Sequence, residues 1–212
     1  MNLGIIGSGD VAQTLANGYL AKGYKVKLGT RSREKLSEWL ENASENASVG
    51  SFAEAAEFGE VVFICASGAS VLQAIEIAGA GNFAGKTVVD VTNPLDFSEG
   101  VPPKFTATVG NSQGERIQKA LSEANVVKAF NTINRTTMVD PHFGDDTATL
   151  FIAGNDDDAK AEVRRLAEEF GWEVEDLGGI EQAFFIEALA SLWVNYAFKN
   201  NSWTHAFKFL KK

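Results

Sequence analysis

The stretch Asn2-Leu3-Gly4-Ile5-Ile6-Gly7-Ser8-Gly9-Asp10-Val11-Ala12 decides the fold. Its first five residues form an apolar run, and the next apolar positions, Val11, Leu15 and Leu20, return at helical spacing. The reading is strand, tight turn, helix. Gly7-x-Gly9-x-x-Ala12 fills the turn, a context that gives a common glycine pattern its meaning as a dinucleotide fingerprint. Gly7 permits the turn, Gly9 lets the backbone approach a pyrophosphate, and Ala12 lets helix and strand pack closely while helix N-terminal N–H groups face the anion.

Working outward, Tyr24 to Leu28 reads as a second strand and Arg33 to Leu40 as a charged helix with Leu36, Trp39 and Leu40 inward. Phe52 to Phe58 is helical, Val61 to Ala66 a strand, Ser70 to Ala78 helical and Thr87 to Val91 a strand. Such alternation implies a parallel sheet covered on both faces. After Asn93-Pro94 the pattern lapses around Gly100, Pro102 and Pro103, a loop expected over the C-terminal edge of the sheet. Helix Glu115 to Ala124, strand Val126 to Phe130, strand Ala148 to Ala153, helix Ala159 to Phe170 and strand Trp172 to Glu175 follow, and Ile180 to Lys212 reads as helical and aromatic-rich. The expected class is α/β: a Rossmann-type, doubly wound, mostly parallel sheet over residues 1–178, with a small helical extension over 179–212.

The 212 residues, 45% hydrophobic and 22% charged, exclude a disordered chain and suit one large domain with a small appendage. A formal charge of -9 lacks the basic footprint that nucleic acid or anionic lipid would require. A single cysteine, Cys65, cannot form an internal disulfide, and Met1 to Ile6 has no signal-peptide character, so the expected address is cytoplasmic. The apolar stretch Ala183 to Phe198 is broken by Glu187, Ser191 and Asn195, so no membrane span is expected. Cys65 reads as a core residue, and Asp156 to Asp158 complement a helix dipole without a metal.

Cofactor preference is written at the end of the second strand, where an NAD enzyme places a carboxylate on the ribose hydroxyl. Here stand Gly29-Thr30-Arg31-Ser32-Arg33, and Glu34 already lies inside the helix. The Thr30 and Ser32 hydroxyls with the Arg31 guanidinium suit a 2'-phosphate, and Lys35, one helical turn on, adds a charge. NADP(H) is therefore expected over NAD. The bland alternative is a solvated helix start with Thr30 or Ser32 as N-cap, a role compatible with the first. Ala66-Ser67-Gly68 and Val91-Thr92-Asn93-Pro94 follow strands, so they are expected to flank ribose and nicotinamide, with Asn93 held extended by Pro94.

With these residues in hand, the chain resembles the coenzyme F420-dependent NADP oxidoreductase family, which includes the reductase domain of the STEAP ferric reductases. The resemblance rests on Gly7 to Ala12, Gly29-Thr30-Arg31-Ser32, Asp90-Val91-Thr92-Asn93-Pro94, Val126 to Thr132 and Gly154-Asn155-Asp156-Asp157, and continues into the last helix at Glu187 and Asn195. It implies a pyrophosphate turn at Ser8, Gly9, Asp10 and Val11, a 2'-phosphate pocket at Thr30, Arg31 and Lys35, and nicotinamide surroundings at Ala129, Asn93 and Ala66 to Gly68. Ser67-Gly68 and Phe130-Asn131 stand where the archaeal enzymes carry bulkier or imidazole side chains, which leaves the acceptor open between F420, a flavin and a ferric chelate.

Hydride transfer to a flavin-like ring needs alignment and a dry site more than a protein acid or base. A ketone reductase needs a proton donor, yet only His142 and His205 are present and there is no Tyr-x-x-x-Lys pair. His142 reads as a loop residue, His205 as packing in the terminal helix, and no side chain is singled out as catalytic. Glu187, Ser191 and Asn195 share a helix face that borders either an acceptor pocket or a partner subunit, or else caps buried backbone. The aromatic density beyond Ile180 leads to an expected homodimer. Two functions stay open here, an NADPH-dependent reductase of a small-molecule acceptor and a non-catalytic NADPH sensor.

Overall fold

The computed structural model describes all residues, Met1–Lys212. Eight strands build one sheet: β1 (Asn2–Ile6), β2 (Lys25–Gly29), β3 (Ala47–Gly50), β4 (Val61–Ile64), β5 (Thr87–Asp90), β6 (Asn125–Lys128), β7 (Thr149–Gly154) and β8 (Glu173–Asp176). Their spatial order is β8-β7-β6-β5-β4-β1-β2-β3. All neighbours from β3 to β6 are parallel, whereas β7 runs antiparallel to β6, with Ala153 opposite Lys128, and β8 lies parallel to β7. The chain winds outward from β1 in both directions. Strand order reverses between β1 and β4, which opens the crevice where such sheets receive ligands.

The helices are α1 (Asp10–Ala21), α2 (Ser37–Asn42), α3 (Phe52–Phe58), α4 (Val71–Ala78), α5 (Gln113–Ala120), α6 (Asp157–Glu168) and α7 (Ala183–Asn200). Side-chain alternation sends Leu3 and Ile5 of β1 into the layer shared with α1 and α6, and Ile6 into the layer shared with α3, α4 and α5. Local capping chemistry starts these helices. Ser51 with Glu54 and Ser112 with Glu115 form reciprocal capping boxes on α3 and α5, and Asp156 accepts the Ala159 N–H at the start of α6. Gly4 is what lets α3 rest on β1, because a Cβ there would lie 2.1 Å from the Ala55 carbonyl oxygen.

The structure departs from the sequence reading in places. Strand β3 is unannounced by the pattern, and the charged helix splits into a 3-10 turn, Arg33–Leu36, before α2. Helix α5 starts and ends earlier than expected, and the loop after Asn93-Pro94 carries a small ribbon, Leu95–Asp96 against Lys104–Phe105. The final region is not helical to the end. Asn201 adopts the left-handed conformation (φ 48) and stops α7, and an irregular tail returns to the start of β7, where Thr149 N–H donates to the Phe207 carbonyl at 2.9 Å. His205 therefore sits in the tail, stacked on Trp193 at 4.2 Å between ring centroids, while the Trp193 indole N–H donates to its carbonyl. No helix is long and apolar enough to cross a membrane.

Candidate cofactor and substrate site

The β1–α1 turn separates two kinds of glycine. Gly7 has φ 143, and a Cβ there would press to 2.9 Å from the Cys65 carbonyl, so the fold itself demands glycine. Gly9 has φ -81 and open space where a Cβ would be. Nothing in the protein requires glycine at that position. It stands at the N-cap of α1 with no side-chain cap, so the first-turn N–H groups stay directed at the cleft above it.

That cleft, about 260 Å³, gathers Gly7, Ser8, Gly9, Thr30, Arg31, Ser32, Lys35, Ala66 and Ser67. Arg33 is engaged with Glu54 at 2.6 Å, whereas Arg31 and Lys35 are exposed, make no ion pair and line the cleft. Two hydroxyls are partly occupied. Thr30 Oγ1 accepts the Ser32 N–H and donates to the Ser32 carbonyl, shaping the turn, and Ser32 Oγ donates to Glu34 at 2.6 Å. That hydrogen bond holds the Glu34 carboxyl below its ordinary range. Ser32 occupies the N-cap position of the turn Arg33–Leu36, but its side chain makes no capping hydrogen bond. Phe52 and the α4 residues Gln73 and Ile77 also line the cleft; sequence reasoning missed them because their helices approach the cleft only after the sheet is assembled.

Beyond Cys65 to Ser67 the cleft continues into a smaller cavity, about 190 Å³, bounded by Val11, Gly68, Thr92, Asn93 and Phe97. The turns after β4 and β5 touch here, since a Cβ on Gly68 would fall 2.0 Å from the Asn93 carbonyl oxygen. Asn93 is less free than expected: its Nδ2 donates to the Asn131 carbonyl at 2.9 Å and its Oδ1 accepts from Asn131 Nδ2 at 3.0 Å. The acceptor left without a partner is the buried Asn131 Oδ1. Phe130 precedes it in the left-handed region (φ 60), a costly conformation for a non-glycine residue. Ala129 is fully buried in the core, Asp10 is exposed with an ion pair to Arg135 at 3.3 Å, and Pro94 lines a neighbouring cavity. Cys65 forms part of the floor, and burial raises its thiol well above the ordinary cysteine value, so it stays neutral.

Beneath the Thr92–Asn93 turn lies a buried ion triad. Lys128 Nζ, fully buried, meets Asp90 Oδ2 at 2.8 Å, Glu187 Oε1 at 2.9 Å and the Thr92 carbonyl at 2.6 Å. Burial pulls the ammonium pKa down, but the two carboxylates outweigh it and raise it above its ordinary value. Glu187 also accepts the Gln113 and Gly114 N–H groups, both at 2.9 Å, at the start of α5. Glu187 thus caps buried backbone, whereas Asn195 is exposed and turns back onto the Ser191 carbonyl. The three polar residues of α7 are not one surface.

A third cavity, about 460 Å³, lies on the other side of Val11 and is walled by Asn134, Arg135, Thr136, Trp193 and Trp203. Asn134 Nδ2 donates to the Trp203 carbonyl at 2.9 Å, fastening the tail as its wall. Sequence reasoning did not find it, because Trp203 arrives there only when α7 stops at Asn201.

Comparison with known proteins fits this geometry. The profile of the family described as NADP oxidoreductase, coenzyme F420-dependent, matches residues 2–94. The F420-dependent NADP reductase of Methanothermobacter marburgensis is 30% identical over 209 residues, 92% of this chain and 91% of that protein. The metalloreductase STEAP3 of Rattus norvegicus is 28% identical over 188 residues, and the chain spans 36% of its length. A crystal structure from Arthrobacter sp. FB24, assigned provisionally as an F420-dependent NADP reductase, superposes with a TM-score of 0.93 at 36% identity and covers 99% of both chains. The glycine turn, the carboxylate-free end of β2 and similarity along nearly the whole chain agree: this NADP-dependent oxidoreductase belongs to the coenzyme F420-dependent NADP oxidoreductase family.

Proposed function

We propose that the protein passes a hydride between NADP(H) and a planar ring acceptor of the deazaflavin (F420) or flavin type. The observation that carries this reading is the lining of the cavity around Val11, Gly68 and Asn93, where the only ionisable side chain is the neutral thiol of Cys65. A carbonyl or imine acceptor needs a proton donor at the reacting centre, whereas a conjugated ring accepts hydride without one from the protein. The donor set also suits the cofactor. Open space at Gly9 leaves room for a pyrophosphate against the helix N-terminus, and Arg31 with Lys35 suits a 2'-phosphate.

Bound nicotinamide supplies the hydride chemistry; the protein's contribution is to bind, orient and exclude water. Gly7, Ser8, Gly9, Asp10 and Val11 take the pyrophosphate end, and Ala66, Ser67 and Gly68 with Asn93 and Pro94 wall the nicotinamide end. Ala129 backs that wall from the core. Val11, shared by the second and third cavities, marks the boundary between the two reactants, and the apolar surfaces of Trp193 and Trp203 suit an aromatic ring. The purified chain, mixed with NADPH and a panel of deazaflavin, riboflavin, flavin mononucleotide and ferric chelates, is expected to oxidise NADPH with the ring acceptors. NADPH binding with no turnover would leave a sensor instead.

Arg31→Ala should weaken NADPH binding roughly ten- to a hundredfold by removing a charge-assisted contact, and leave NADH affinity nearly unchanged. Calorimetric titration with both cofactors checks this; equal losses would count against the 2'-phosphate pocket. The working unit in this reading is a homodimer built on the outer face of α7, where Phe185, Leu192 and Tyr196 are all more than half exposed at i, i+7 and i+11. Trp193, by contrast, is buried within the subunit. Leu192→Glu should convert the dimer to a monomer in sedimentation equilibrium, and a wild-type mass of 22.8 kDa at micromolar concentration would refute it.

A further inference from the structure

Next to the nicotinamide-side cavity, across the shared residues Gly68 and Leu95, lies a separate pocket of about 280 Å³ whose far wall is the first turn of α5. Two nitrogen donors on that wall have no acceptor. Gln113 is 1% exposed and its Nε2 is unpartnered, and the buried Nε of Arg116, one turn on, is unpartnered as well. Buried donors left unpaired are costly, so native structures nearly always satisfy them. The helix terminus does not account for the site, because the Gln113 and Gly114 N–H groups already bond Glu187 and Ser112 is closed by Glu115. The carboxylate on the opposite wall, Asp96, is occupied by the Ser98 N–H and hydroxyl at 2.8 and 2.9 Å. Arg116 makes no ion pair; its Nη2 donates to Gln113 Oε1, which aligns the two side chains.

We propose that Gln113 and Arg116 form an anion subsite for a phosphate or carboxylate group. The buried atoms left unpartnered there are both donors and one belongs to a cation, so the complementary ligand brings acceptor oxygens and negative charge on the Gln113–Arg116 side, away from Asp96 and the Thr106 hydroxyl, which also line the pocket. Gly68 and Leu95 line both this pocket and the cavity of the hydride site, so the anion is either a substituent of an acceptor that reaches over that common wall or a free ion bound beside it. Assignment to the acceptor rests on the hydride-transfer reading; the existence of the site does not.

Calorimetric titration of the full chain with inorganic phosphate, with and without saturating NADP⁺, tests the site. A binding event that NADP⁺ leaves in place and that Arg116→Met weakens roughly ten- to a hundredfold is expected. Arg116→Lys, which keeps charge but loses the Nε donor, should fall between, and far-UV circular dichroism reports whether each variant is folded. If no NADP⁺-insensitive event occurs, or if both variants fold and bind phosphate like wild type, the subsite is overturned. If NADP⁺ itself fails to bind while the Arg116-dependent event persists, the cofactor reading falls and the subsite stands. The second arm compares flavin mononucleotide with riboflavin as acceptors: a rise in KM for the phosphorylated ring alone in Arg116→Met assigns the site to the acceptor. An unchanged ratio with lost phosphate binding assigns it to a free anion.

Discussion

Replacing Lys128 by methionine is expected to cost about 3 to 5 kcal/mol of folding stability, the range for removing one partner of a buried ion pair. The substitution leaves Asp90 and Glu187 buried without their cation, at the junction where β5, β6, α5 and α7 meet. Urea denaturation would measure the loss, and a cost below about 1 kcal/mol would show that the triad is not integral to the fold. Adding Asp90→Asn should restore part of it, since one amide oxygen still accepts both the Thr92 N–H and hydroxyl without an uncompensated charge, whereas Glu187→Gln would restore less, because its single acceptor oxygen can keep only one of the Gln113 and Gly114 N–H bonds. The sign with pH follows from a folded pKa held above the ordinary lysine value. The contribution is complete below the unfolded lysine pKa and is lost only as alkaline pH rises through the folded one.

Gly9→Val should abolish dinucleotide binding while leaving the protein folded. The valine side chain enters open space and φ -81 with extended ψ suits a β-branched residue, so the fold loses about 1 kcal/mol or less, through the N-cap preference alone. The same side chain occupies the ground that a pyrophosphate needs. Unchanged circular dichroism with no calorimetric signal for NADP(H) is the expected pair of results, and retained affinity would remove Gly9 from the phosphate site. Gly7→Val is the contrasting control, because φ 143 and the Cys65 carbonyl oppose any side chain there.

Much of the fold was legible because each βαβ unit advertises itself locally: apolar β-rich runs, capping residues, glycine at the turn. Strand β3 was not, since Ala47-Ser48-Val49-Gly50 has neither bulk nor alternation and is a strand only by pairing with β2. The tail was misread for a related reason. Its aromatic content is that of a packed segment, but whether the packing is helical was decided by the left-handed turn at Asn201. In the candidate site, charge and glycine spacing near Gly7 and Arg31 could be read from the chain alone. The Lys128 triad could not, because its members lie 38 and 59 positions apart and a lysine in an apolar strand gives no sign of its partners. The engagement of Asn93 by Asn131, across 38 residues, was hidden in the same way.

The separation between glycines that the fold demands and the residues that merely face the cleft bears on how such a protein can change over evolutionary time. Gly4, Gly7 and Gly68 are pinned by neighbouring backbone, so drift at these positions meets a structural veto. Arg31 and Lys35 are exposed, without ion-pair partners, on a turn whose shape is set by Thr30. Exchanging them perturbs no packed layer. In the proposed reading of Arg31 and Lys35 as the 2'-phosphate contacts, cofactor preference is therefore written on a replaceable margin of the scaffold, and a lineage, or a directed-selection experiment, can rewrite it by substitutions that stability scarcely registers.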